Sequence, residues 1–184
     1  MYRYDRKKIQ STFFQGGVLA YPTEGVWGLG CDPANETAVR KILSLKGRPV
    51  EKGLILVTGD ISYVSFLLNA LPVEQRIFAD SVWPGHTTLL VQDVHKQIPW
   101  FVKGDHDTVA IRVSLHPFIQ WFSKAVSPLL ISTSANRSGK AACRFPWQIQ
   151  RQFGNQVNYV VPGNTLGAAG PSDIISLASK HVFR

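Results

Sequence analysis

The sequence predicts an α/β fold, a single domain over residues 1–184 with a twisted, mixed β-sheet flanked by helices. Three observations carry this expectation. Apolar runs of strand length alternate with stretches of helical spacing, but irregularly, so several strands follow one another with no helix between them. No internal repeat, low-complexity tract or interdomain linker interrupts the 184 residues, a length that suits one domain with a real core. Apolar residues make up 45% and charged residues 17%, the balance of a globular chain and not of a disordered one.

The elements are read in order. Asp5 to Gln15 is a short amphipathic helix closed by Gly16-Gly17. Val18 to Tyr21 is a strand that ends at Pro22. Glu36 to Lys46 sets Ala38, Val39, Ile42, Leu43 and Leu45 at helical spacing, and Gly53 to Val57 is a buried strand. Tyr63–Ala70 and Val73–Ser81 read as helices, Thr87–Gln92 and Thr108–Val113 as strands, and Pro117–Ala125 as a helix. Leu129 to Ser132 is a strand running into a hydroxyl-rich loop. Pro146–Phe153 is a helix, Tyr159–Val161 a strand, and Ser172–Leu177 and the last residues read as strands. Gly163 to Gly170, rich in Gly and Ala, reads as a flexible loop within the domain.

Lys and Arg number 20 against 12 Asp and Glu, a net charge of +8. That balance suits an anionic partner (nucleic acid, nucleotide or membrane surface) or simple solubility. The two cysteines, Cys31 and Cys143, form no CxxC pair and no disulfide framework, which makes a reducing cytosol the default. The N-terminal stretch is polar and lacks a signal-peptide core, and no apolar run reaches ~18 residues, so a cytoplasmic protein with no membrane span is expected.

Small motifs with charged or hydroxyl groups stand at the ends of the apolar runs, where binding and catalytic groups usually sit. Lys46 and Arg48 close a helix before Pro49. They either complement the helix dipole or aim two cations at a polyphosphate. Ser132 to Gly139 holds four hydroxyls, an Asn and a Gly, either an ordinary turn or a platform whose N–H groups cradle phosphate. It is not a Walker loop, since GxxxxGK[ST] is absent. Arg112 alternates away from Val109, Ile111 and Val113, facing either solvent or a substrate carboxylate. Thr23 and Glu24 follow Pro22 as turn chemistry or a helix cap. His86 offers a base and Cys31 a nucleophile, though a loop histidine and a small buried cysteine are the commoner readings. No ligand cluster points to a tightly held metal. Mg²⁺ would arrive with a nucleotide, bound mainly by phosphate oxygens and water. Together the cations, the strand arginine and the hydroxyl loop suggest a pocket for phosphorylated and carboxylate-bearing substrates.

The motifs Tyr21-Pro22-Thr23-Glu24, Gly28-Leu29-Gly30-Cys31-Asp32, Lys46-x-Arg48-Pro49, Lys52-Gly53-Leu54-Ile55, Trp83-Pro84-Gly85, Val109 to Val113, Ser132 to Gly139 and Pro171-Ser172 occur in an order and spacing that strongly resemble the YrdC/TsaC family, in its short bacterial form. The resemblance implies a YrdC-like fold around a concave, positively charged surface. It implies synthesis of L-threonylcarbamoyladenylate from L-threonine, bicarbonate and ATP with release of pyrophosphate, for the threonylcarbamoyl modification of adenosine 37 in ANN-decoding tRNAs. It also implies downstream threonylcarbamoyl transferase partners, with tRNA itself as a further candidate, Mg²⁺ with ATP, and no organic cofactor. By position, Lys46, Arg48, Ser134 and Asn136 correspond to a KxR/SxN tetrad at the ATP phosphates and metal. Thr108 and Arg184 correspond to further nucleotide contacts, and Thr23, Arg112, Ser132 and Ser172 to the threonine pocket. His86 and Asp173 stand where the family commonly has Pro and Thr, and Val57 where many longer relatives carry His. The alternatives are an RNA-binding or RNA-maturation module without chemistry, for which no RNP, KH or arginine-rich signature is visible, and a carbamoyltransferase, which would need accessory domains.

Overall fold

Among the described residues, 3–184 of a computed structural model, eight strands form one mixed sheet; Met1 and Tyr2, which begin the polar N-terminal stretch, lie outside them. The strands are β1 (Leu19–Pro22), β2 (Trp27–Gly30), β3 (Ile55–Thr58), β4 (Thr87–Gln92), β5 (Thr108–Val113), β6 (Leu130–Ser134), β7 (Tyr159–Val160) and β8 (Asp173–Ser176). Their order is β7-β1-β2-β6-β3-β5-β4-β8. β1–β7, β3–β5 and β4–β8 are parallel and the other neighbours antiparallel, which is the mixed sheet the irregular alternation predicts.

The helices are α1 (Arg6–Phe14), α2 (Glu36–Lys46), α3 (Ser65–Leu68), α4 (Val73–Val82), α5 (Trp100–Lys103), α6 (Pro117–Ala125) and α7 (Pro146–Phe153). None is long and apolar enough to cross a membrane. Side-chain caps start several of them: Asp5 accepts from the Lys8 N–H, Asn35 from Ala38, and the His116 ring from Phe118.

The structure departs from the expected elements in four places. The Tyr63–Ala70 helix is a 3₁₀ turn, Ile61–Val64, opened by Asp60 on the Ser62 N–H and continued only by α3. Pro72 lies just beyond, and the residue before a proline, here Leu71, is driven out of helical backbone. β2 is hidden in the sequence because glycines alternate with Trp27 and Leu29. A Cβ on Gly30 would meet the Tyr21 ring and the Ile131 carbonyl, so the close packing of β1, β2 and β6 requires the residue that weakens the strand signal. β6 runs two residues past Ser132, because Thr133 and Ser134 pair with Leu29 and Gly28. The last residues form only an isolated bridge, Ile175 to Val182.

Side-chain alternation divides the sheet into two faces. One face, with Trp27, Leu29, Leu56, Leu89, Val91, Val109, Ile111 and Ile131, packs on α2, α3, α4, α5 and α7. The other face is covered by α1 and α6 only where Leu19, Tyr21, Val57 and Leu130 meet Ile9, Phe13, Phe118, Ile119 and Phe122. The rest of that second face carries Ile55, Leu90, Thr108, Ala110, Ser134 and Ile174, and it is open as a cavity. A sheet with one face fully covered and the other half covered therefore supplies the floor of the site.

Candidate functional site

The cavity measures about 450 Å³ and is lined by Lys46, Arg48, Lys52, Lys103, His106 and Arg184. Among the described residues no Asp or Glu side chain lines it. Such a concentration of like charge in one concavity attracts an anion.

Lys46 and Arg48 reach it because α2 ends in a left-handed turn. Gly47 has φ +60°, and the Arg48 N–H bonds back to the Leu43 carbonyl, so the chain reverses between the two cations. Lys46 is 7% exposed. Its Nζ donates to the Ser134 carbonyl at 2.6 Å, the Asn136 carbonyl at 3.0 Å and Asn136 Oδ1 at 3.1 Å. Burial, and then the charge of Arg48, pull the ammonium down to about 8, against three oxygens that favour its charge. Arg48 donates from Nε to the Gly53 carbonyl and from Nη2 to the Lys52 carbonyl, both at 3.0 Å, which fixes the plane of its fork. Burial and then Arg184 lower its pKa, so the two guanidinium groups feel one another across the cavity.

The serine-rich segment is bound to the same lysine. Ser134 Oγ donates to Asn136 Oδ1 at 2.7 Å, and Asn136 Nδ2 donates to the Arg137 and Lys140 carbonyls at 3.1 and 2.9 Å. The Ser138 N–H donates to the Lys46 carbonyl at 2.9 Å. The two halves of the expected tetrad are thus one hydrogen-bonded unit. The segment is a braced turn as well as a cavity wall.

Thr108, on the same face of β5, lines the cavity, as does Arg184. Arg184 is placed by the tail folding back along β8. The Phe183 N–H donates to the Ile174 carbonyl and the Ile174 N–H to the Arg184 carbonyl. The Arg184 guanidinium grips the Ser172 carbonyl through Nε at 3.2 Å and Nη2 at 2.9 Å.

The residues expected around an amino acid gather beside this cavity and do not line it. Arg112 follows Ala110 on the open face of β5 and is buried. Its Nη2 is paired with the Glu24 carboxylate, so the arginine meets a protein partner where a substrate partner was expected. Burial pulls its guanidinium down to about 10, with the nearby Tyr21 phenol acting the other way. Thr23 is buried with its hydroxyl donating to the Val26 carbonyl at 2.7 Å, which is the turn chemistry read from the sequence. Ser172 is buried, with Oγ 2.7 Å from Thr88 Oγ1, and Thr88 immediately precedes the Leu89–Ile111 pair, beside Arg112. Ser132, on β6, and Arg112 both act on the Tyr21 phenol: burial raises its pKa, and these two groups lower it.

The segment from Val161 to Ser172 has no regular structure but is tied down. The Leu166 and Ala168 N–H groups donate to the Thr23 and Glu24 carbonyls. Arg144 donates to the Ala169 carbonyl at 2.5 Å, and His86 Nε2 lies 3.1 Å from the Gly170 carbonyl. His116 Nδ1 accepts from the Phe118 N–H, which leaves Nε2 to donate to the Asn164 carbonyl at 3.1 Å. His86 is therefore placed on the backbone of this segment. Cys31 is fully buried, and burial pushes its thiol up, so it is the inert small residue and not a nucleophile. Val57 packs in the core, and Asp173 is exposed at the start of β8. Sequence reasoning missed Lys103 and His106 in the cavity wall and the pairing of Glu24. Lys52 lay in a quoted motif without a role.

Comparison with known proteins bears on the family and the fold. The family model Sua5/YciO/YrdC, described as telomere recombination, matches residues 11–184. The threonylcarbamoyl-AMP synthase of Marinobacter nauticus is 46% identical over 175 residues, 95% of this chain and 92% of that protein. The threonylcarbamoyl-AMP synthase of Hahella chejuensis is 44% identical over 178 residues, 97% and 96% of the two chains. Sua5 of P. abyssi, solved in complex with L-threonine, is similar at a TM-score of 0.85 and 27% identity over 98% of this chain, which spans 54% of that protein's length. YciO of E. coli, at 23% identity, shares the fold with a TM-score of 0.80 over 97% of this chain and 87% of that one. Matched over almost its whole length, and with relatives this similar from end to end, the chain belongs to the Sua5/YciO/YrdC family.

Proposed function

We propose that the protein is a threonylcarbamoyl-AMP synthase that converts L-threonine, bicarbonate-derived CO₂ and ATP to L-threonylcarbamoyladenylate and pyrophosphate. The observation that carries this reading is the adjacency, on one open sheet face, of a cavity lined by cations and a buried arginine suited to a carboxylate. Lys46, Arg48, Lys52, Lys103 and Arg184 share one concavity, which favours a nucleotide substrate over the RNA-module alternative.

The roles follow from placement. The amino acid sets its carboxylate on Arg112, among Thr23, Ser132 and Ser172. Its free amine adds to CO₂, forming a C–N bond and losing a proton, to give a carbamate. A carbamate oxygen attacks the α-phosphorus, and the bond to the pyrophosphate oxygen breaks. Lys46, Arg48 and Arg184 stabilise the charge that gathers on the departing phosphates, with Ser134, Asn136 and Thr108 fixing the nucleotide. No protein nucleophile is required; orientation and preorganised charge supply the catalysis. Ser134 and Asn136 add neutral oxygens that fit the outer sphere of a hydrated Mg²⁺ carried by ATP, and no group of three His, Cys, Asp or Glu side chains suited to a metal occurs among the described residues. Bound Mg²⁺ would help neutralise the phosphates. The product, a labile mixed anhydride, requires a threonylcarbamoyl transferase acting on tRNA in the same compartment, here the cytoplasm.

Pyrophosphate release from ATP should require both L-threonine and bicarbonate, and Arg112→Lys should weaken threonine while sparing ATP, because a point charge cannot replace a planar fork. Pyrophosphate release indifferent to threonine would reject the synthase. Calorimetric threonine affinity unchanged in Arg112→Lys would remove Arg112 from the amino-acid site.

The low pKa of Lys46 adds a pH dependence. Free Lys46 loses its proton near 8, well below the 10.5 of an unfolded lysine, so its charged form costs folding stability below 8, and that cost fades as pH rises toward 10.5. Nucleotide phosphates favour the charged form. ATP affinity should be level to about pH 7.5 and then fall, by up to roughly tenfold per pH unit above 8, with proton uptake on binding. Lys46→Arg should flatten the profile, since arginine stays charged throughout. A wild-type affinity level to pH 9.5 would separate Lys46 from the phosphates.

A further inference from the structure

Glu24 and Arg112 make a buried ion pair under the tied-down segment 161–172, with 6% and 8% exposure. The carboxylate accepts two hydrogen bonds and faces the guanidinium as an ion pair. Oε1 accepts from Ser114 Oγ at 2.7 Å and from the Leu115 N–H at 3.2 Å, and Oε2 faces Arg112 Nη2. Ser114 and Leu115 follow directly on β5, the strand that carries Arg112, so the carboxylate is fixed relative to the arginine's own backbone. Segment 161–172 closes over it, with the Ala168 N–H on the Glu24 carbonyl and no room for a Cβ on Gly25 against the Gly170 carbonyl.

Arg112 is less well satisfied. Its Nε and Nη2 are both buried without a hydrogen bond from the protein, and Nη2 meets Glu24 only as an ion pair. An unmade buried donor is costly, and a guanidinium tied at one amino group while a neighbouring donor stays open is poised for an acceptor that the protein does not supply. Without Glu24, the guanidinium would be a buried positive charge with nothing opposite, beside a cavity already lined by cations. Such a side chain would swing toward water or the cavity when no ligand is bound.

Resting on the reading that Arg112 receives the amino-acid carboxylate, we propose that Glu24 is the positioning residue of that subsite, holding Arg112 by Nη2 so that its remaining donors face the incoming carboxylate in one preset plane. Glu24 acts through Arg112 and touches neither ATP nor the reacting atoms. The pair is neutral, so the subsite recognises a carboxylate through fixed donor geometry and not through surplus charge. A bound amino acid then need not order the arginine, and that saving appears in threonine affinity.

Glu24→Gln keeps the volume and removes the charge. It should raise KM for threonine by about tenfold or more, with kcat at saturating threonine within about threefold and KM for ATP within about twofold. Glu24→Ala should show the same split, and formate, a small carboxylate, should recover part of its threonine KM. Ser114→Ala, which removes one of the donors that fix the carboxylate, should raise threonine KM a few-fold, and it carries the test if the Glu24 variants do not fold. An unchanged threonine KM in folded Glu24→Gln, or in Ser114→Ala if that variant alone folds, overturns the proposal. A lowered KM overturns it too and would make Glu24 a competitor for the substrate carboxylate. A common loss of kcat and of both affinities, with no response to formate, reduces Glu24 to a structural residue. If wild-type protein shows no saturable response to threonine, the amino-acid reading of Arg112 itself has failed; if wild type saturates and Glu24→Gln does so identically, only the role of Glu24 has.

Discussion

Lys46→Ala should lower threonine-dependent pyrophosphate release by roughly 10²–10³-fold, the size of effect seen when one preorganised charge or donor is removed from a transition state. It should also destabilise the protein, which the sequence alone would not suggest. A cation at a helix end is worth only ~0.3–1 kcal/mol. Here the ammonium is buried and bonded to three oxygens of the Ser134–Asn136 turn. Removing it leaves acceptors unpaired at a cost of about 1–3 kcal/mol, a fall of roughly 2–12 °C in Tm for a chain of this size. Arg48→Ala separates the two effects. Its guanidinium rests on the carbonyls of residues 52 and 53 and is only half buried. It should lose a comparable factor in rate while Tm moves by about 2 °C or less. Thermal melts and pyrophosphate release measured on both variants test the pair. Near-normal turnover in either would take that residue off the phosphates.

The contrast between these cations shows where the sequence was legible. α2, α6, α7, β4 and β5 were readable because periodicity and punctuation agree. The apolar spacing of α2 stops at Lys46, Gly47 takes the left-handed turn, and Pro49 follows. The same local signals brought Lys46 and Arg48 to attention. β2 was not readable, because its glycines serve packing against Tyr21 and Ile131 across two neighbouring strands, and no window of sequence contains that contact. The protein partner of Arg112 was hidden for a similar reason. Arg112 was visible as a polar residue in an apolar strand, but its partner Glu24 lies on the far side of the chain, and only the sheet order brings them together. Lys103 and His106 enter the cavity through the short α5 and the turn after it, which carry no periodic signal. His86, odd against the family pattern, has a physical place once the segment ending at Gly170 is seen lying on it.

Asn136 concentrates these effects in one side chain, and Asn136→Ala should lower both stability and rate. Its Oδ1 receives Lys46 Nζ and Ser134 Oγ, and its Nδ2 donates to the carbonyls of Arg137 and Lys140. Truncation breaks all of these at once and leaves the ammonium of Lys46 held only by two carbonyls, free to tilt. A loss of about 2 kcal/mol in stability is expected, together with a rate lower by roughly 10²-fold, because misdirected charge at the phosphates is lost catalysis. Ser134→Ala removes a single hydrogen bond to Asn136 and should cost about tenfold in rate and ~1 kcal/mol in stability. Since both residues act through Lys46, the double variant should fall short of the product of the single effects by the equivalent of 0.5 kcal/mol or more, the mark of groups that work as a unit. The decisive comparison is made well below the Tm of every variant, so that unfolding does not enter the rate. Normal turnover there, with lowered melting temperatures, would make the Ser132–Gly139 segment an ordinary braced turn. Lost turnover at a temperature where the fold is intact would show that the turn exists to hold a lysine against a phosphate.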